Sequence, residues 1–165
     1  SGNLSFGTPG GGKVLQVVTS SKNDGFSTTS SSFQTVSDLS ASITPSATTS
    51  KVLVHVTCVY SSNGNNGQIT IFKGGSNFLN TLKDSGFGNR TSVVVQSANI
   101  GANQAAMMNA HYHVIDVANT TSAITYDVRV RGQGADFTIN QNRNPDNVQE
   151  RGCGLSTITL MEIGA

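Results

Sequence analysis

The sequence predicts an all-β protein, an antiparallel β-sandwich or jelly roll of eight to ten short strands. Three observations carry that expectation. Short runs rich in Val, Ile, Thr, Tyr and Phe alternate in polarity and are separated by turn residues at intervals of roughly 8–12 residues. Ser, Thr, Asn and Gly make up 73 of the 165 residues, a composition suited to turns and poor in helix formers. Leu, Ile, Val and Phe supply only 40, just above the level at which a chain stays disordered, so the core must be economical. No segment repeats at a fixed period, which argues against propellers and solenoids.

Residues 1–12 (SGNLSFGTPGGG) have neither helical nor strand periodicity and read as an arm or linker. Residues 13–165 read as a single β domain. Its first strand is expected at 13–19 (KVLQVVT), followed by a polar loop over 20–32. Two short strands, 33–39 and 41–44, end at Pro45. The clearest strand is 51–60 (KVLVHVTCVY), with Val52, Val54, Val56, Cys58 and Tyr60 on one face and Leu53, His55, Thr57 and Val59 on the other. The cluster 61–67 (SSNGNNG) turns the chain into a strand at 68–73, and Gly74-Gly75 turns it again into 77–83. Strands at 91–100 and 109–117 flank 101–108, the one stretch suited to a helical turn. In 123–131 (AITYDVRVR), Ile124, Tyr126, Val128 and Val130 oppose Thr125, Asp127, Arg129 and Arg131. A short strand at 137–140, a polar loop at 141–154 and a closing strand at 156–163 (STITLMEI) complete the chain. The last strand is apolar on both faces, which predicts burial twice, in its own core and against another layer or subunit, or a central place in one sandwich.

Composition also sets limits on function. Ten Lys and Arg against nine Asp and Glu leave a net charge of +1, with no basic stripe to neutralise phosphates, so no nucleic-acid partner is expected. No apolar run approaches the roughly 18 residues of a membrane span. Cys58 and Cys153 lack metal-site spacing and are expected as free thiols, Cys58 as a small buried hydrophobe.

His111-Tyr112-His113 is the sharpest chemical motif, because positions i and i+2 of a strand share a face. Two such imidazoles per chain, repeated around a threefold axis, make a six-nitrogen set suited to a transition metal. The plainer expectation is a pair of surface or interface histidines. His55, alone in an apolar strand, reads as a core or interface residue rather than a ligand. Asp116, Asp127 and Asp136 show no glycosidase-like pairing, and no nucleophile elbow, zinc-protease or phosphate-loop motif is present, so neither a catalytic residue nor a cofactor is assigned. Arg129 and Arg131, with Asp127, are expected to pair across strands or between subunits.

Several segments taken together resemble a bacteriophage family common in marine and cyanobacterial viruses, described as tail-fibre-like or virion structural proteins. They are GKVLQVV at 12–18, TTSSSFQTVSDL at 28–39, SITPS at 42–46, TSKVLV at 49–54, TSAITYDV at 121–128 and STITLMEI at 156–163. The resemblance spans about residues 10–165. It implies a jelly-roll-like, trimeric, non-enzymatic domain mounted on the virion after assembly in the host cytoplasm. As a tail-fibre or receptor-binding tip, it would contact a host-surface glycan or protein and dock on other virion proteins through residues 1–12. A capsid decoration or head-fibre protein anchored by the same arm is the alternative, and a glycan-degrading enzyme is a more distant one. The polar loops at 20–32, 61–67, 84–89 and 141–154 are the expected places of receptor contact.

Overall fold

A computed structural model describes residues 12–63, 66–97, 106–142 and 152–164. The described chain is mostly strand: β1 (Val14–Lys22), β2 (Phe26–Thr28), β3 (Gln34–Ile43), β4 (Lys51–Ser62), β5 (Gln68–Lys73), β6 (Ser76–Asn77), β7 (Val95–Gln96), β8 (Met108–Val117), β9 (Ile124–Arg131), β10 (Phe137–Ile139) and β11 (Ser156–Ile163). Every pairing is antiparallel. In the first sheet β4 lies between β11 and β8, since Thr57 is opposite both Thr157 and His111; β1 flanks β11. At its far end β4 continues beside β10, which pairs with β2. The second sheet runs β3-β9-β5, with β6 and β7 on the free side of β5.

The core is the set of alternating side chains that the two sheets turn toward each other. β4 contributes Val52, Val54, Val56 and Cys58, and β11 contributes Ile158 and Leu160, all fully buried. The second sheet answers with Val36, Leu39, Ile69, Ile71, Tyr126, Val128 and Val130. Two aromatic pairs fill its ends: Tyr60 stacks on Phe137 at 5.5 Å between centroids, and Phe78 meets Tyr126 edge-on at 5.9 Å.

Several expectations need correction. The strands expected at 33–39 and 41–44 are one strand, β3, whose register slips between Thr35 and Ser40 where Asp38 adopts φ 64°. That irregularity brings Asp38 near the buried Lys22 amine, which donates to Asp24 at 2.6 Å and Ser37 at 3.0 Å. The loop expected at 20–32 is partly strand, because β1 runs on to Lys22 and β2 pairs with β10. Residues 77–83 are not a strand. Phe78 and Leu79 are adjacent and both buried in a 3-10 helix over Phe78–Leu82, capped by the Asn77 side chain. Of the described residues 91–97 of the strand expected at 91–100, only Val95–Gln96 joins a ladder, and 98–100 lie outside the described residues. Ser92 is held by side chains instead, its N–H donating to Asn80 and its carbonyl accepting from Thr70 and Asn77. The helical turn expected within 101–108 falls mostly outside the described residues.

Gly132 follows β9, where its N–H donates to the Ser30 carbonyl at 2.8 Å. A Cβ there would meet the Ala135 carbonyl oxygen, the Thr28 carbonyl oxygen at 2.5 Å and Thr29 Cα at 3.0 Å, all of them backbone atoms. Gly132→Ala is therefore expected to cost about 2 kcal/mol by overpacking, read as a lower urea midpoint with an unchanged m-value.

Candidate functional site

The candidate site is the outer face of the first sheet. Because side chains alternate, the residues of β1, β11, β4 and β8 that do not enter the core form rows across this face. One row is apolar throughout: Val17, Met161, Leu53 and Ile115. The adjoining row adds Ile163, Lys51 and Val117, with Val14 paired to Ile163 and Leu15 beside it. Leu15, Val17 and Ile115 are each about half exposed, at 49%, 55% and 52%. The face thus carries a continuous apolar band on a domain whose core is thin.

On the other side of that band the rows turn polar. Thr19, Thr159, His55 and His113 form one, and Ser21, Thr157, Thr57 and His111 the next. His113 stands directly opposite His55 across the β4–β8 ladder, and His111 is diagonal to His55. All three of the chain's histidines therefore share one exposed face. His111 Nδ1 and Thr57 Oγ1 share a hydrogen bond at 3.2 Å. His111 and His113 lie on one face of β8, as their spacing predicts. Of the two expectations for His55, core or interface, the first is corrected: it is solvent-exposed beside the other two. Sequence reasoning missed this grouping because His55 and His113 are joined only by a strand pairing that bridges 58 positions. Among the described residues no group of three or more His, Cys, Asp and Glu could hold a metal ion.

Of the charged residues of β9, Arg131 pairs across strands as expected, with Gln68 directly opposite it on β5, whereas Arg129 and Asp127 pair within their own strand. Arg129 pairs with Asp127 of its own strand at 2.5 Å and lies over the Phe72 ring at 4.0 Å. Arg131 covers Phe33 at 4.6 Å and donates to Gln68 at 2.9 Å. These guanidinium groups seal the aromatic side chains on the outer face of the second sheet. Asp116 points the other way, toward the interior, where it accepts from Lys73 and from the Tyr126 hydroxyl, both at 2.5 Å. Burial, reinforced by that carboxylate, drives the Tyr126 phenol far above its ordinary range. Asp116 and Asp127 are thus committed to separate ion pairs on different faces.

Both cysteines are free, Cys58 buried and Cys153 exposed. Burial pushes the Cys58 thiol up to about 12, which leaves it without thiolate character at neutral pH. Among the described residues no helix is long and apolar enough to cross a membrane. No protein-family model matches the chain, and neither does any curated protein.

Proposed function

We propose that this chain is a non-enzymatic structural module of a phage virion, a jelly-roll-like tail-fibre or receptor-binding tip that assembles as a trimer. The supporting observation is the apolar band Leu15, Val17, Met161, Ile163, Leu53, Ile115 and Val117 on the outer face of the first sheet. Contiguous exposed apolar surface of this kind favours association, and a small domain with an economical core gains stability from it. The threefold count and the virion setting come from the family resemblance. Polar Ser-, Asn- and Gly-rich loops suit contact with a host-surface glycan or protein, and residues 1–12 suit docking on another virion protein.

The native mass tests this reading. Sedimentation of the purified chain is expected to give a species of three times 17.1 kDa that persists on dilution. A monomer would remove the basis for an assembled tip.

A further inference from the structure

We propose that His55, His111 and His113 make assembly acid-sensitive: copies of the chain meet through this face while the three imidazoles are neutral and separate when they are charged. The proposal rests on the reading that another copy covers the outer face of the first sheet. A stable subunit contact takes about 800 Å², or roughly 20 to 30 residues, from each partner. The apolar band is smaller than that, and it ends with the ladders at Val14, Lys51 and Val117, so the contact widens toward the histidines. His55 and His113 are two positions from Leu53 and Ile115 on the same strands and the same face, about 7 Å away, and His111 is one row farther. All three are exposed in the single chain, where protons reach them freely.

The charges around the histidines set the direction. Glu162 and Asp116, the carboxylates of these four strands, both lie on the core side, one held by Gln16 and Ser46, the other by Lys73 and the Tyr126 hydroxyl. The outer positions of β1, β11, β4 and β8 carry Lys51 and the three histidines and no carboxylate. Past the histidine rows Gly154 lies against Val59, and its neighbour Cys153 is a thiol, which gains no charge in acid. Asp136 meets Asn63 beyond the end of β4, about 20 Å along the strand from Thr57 and more than a Debye length away. Acid therefore takes the outer positions of these strands from one positive charge to four, with no carboxylate among them. His55 and His113 stand directly opposite each other, where like charges repel, and a closed contact also strips imidazolium ions of water. The separated chain thus binds these protons more readily than the assembled one. Each pH unit below the histidine range then favours separation by up to about tenfold per imidazole.

Sedimentation of the full chain over a dilution series at pH 7.5 and pH 5.5, with circular dichroism at both, tests the proposal. The parent is expected to assemble at pH 7.5 and to need at least about tenfold more protein to assemble at pH 5.5, with its far-ultraviolet spectrum unchanged. A variant carrying His55→Gln, His111→Gln and His113→Gln keeps polar, uncharged side chains at these positions and should assemble equally well at both. His55→Gln alone removes the directly opposed pair and should lessen the acid effect. A parent that assembles equally at both pH values overturns the proposal and leaves the assembly reading standing. A triple variant as acid-sensitive as the parent also overturns it, by placing the effect on other groups. A chain that is already monomeric at pH 7.5 overturns the assembly reading and this proposal with it.

Discussion

A chain carrying both Leu53→Glu and Met161→Glu is expected to sediment at 17.1 kDa rather than three times that mass, with its far-ultraviolet circular dichroism intact. Leu53 and Met161 are directly opposite across β4 and β11 and lie in the row that is apolar from Val17 to Ile115. Both point away from the core but are partly covered, and the two carboxylates stand directly opposite each other, so in the separated chain their repulsion costs about 1 kcal/mol, too little to unfold it. Inside an interface the same carboxylates are stripped of water without partners, at several kcal/mol each. That difference exceeds what a thin apolar contact supplies. Leu82→Glu is the control. It removes a more exposed apolar side chain, 53% accessible, from the 3-10 helix beside β5, and the native mass should not change. If the double variant keeps the parent mass, assembly uses a different surface.

Glu162→Ala is expected to lower stability by about 3 kcal/mol at pH 7, the cost of leaving donors to a buried carboxylate unpaired. Glu162 is on the core side of β11, 1% exposed, between Gln16 of β1 and Val52 of β4. Its carboxylate accepts from the Gln16 side-chain amide at 2.6 Å, and from the Ser46 N–H at 2.7 Å and hydroxyl at 2.6 Å. Gln16 also donates to the Thr44 carbonyl at 2.7 Å, so one carboxylate ties β1, β11 and the turn after β3 together. Glu162→Gln is only a partial remedy, because its NH2 group would face donors.

These bonds, Gln16 foremost and then Ser46, hold the carboxyl at about 2, below its ordinary value of 4.5. A group with a depressed native pKa stabilises fully above its unfolded value and loses that contribution as pH falls through the native one. Urea midpoints should therefore show the largest gap between the parent and Glu162→Ala at neutral pH. The gap should narrow from pH 4.5 down toward 2. A gap independent of pH would mean that packing, not the ionised carboxylate, holds this end of the sheet.

Much of the architecture was legible because strand alternation is a local property. β11 covers 156–163 as expected, β4 and β9 present the faces read from their residues, and the free thiols stand as expected. The errors fall where a local signal competes with long-range packing. Residues 77–83 read as a strand, but after Asn77 the chain turns into a 3-10 helix that buries Phe78 and Leu79 together. The 33–39 and 41–44 runs read as two strands because Asp38, at positive φ, interrupts a pattern that β9 holds together by pairing with both sides. Arg129 and Asp127 looked like cross-strand or intersubunit partners. Lying two apart on one face, they instead reach each other above Phe72.

The candidate site divides along the same line. That His111 and His113 share a face follows from a period of two residues, which the sequence determines by itself. That His55 joins them, and that Val17, Met161, Leu53 and Ile115 align in a single apolar row, depends on which strands pair and in what register. Those pairings connect segments tens to more than a hundred residues apart. They are decided by how the whole set of apolar faces closes on a common core, so only the tertiary structure could supply them.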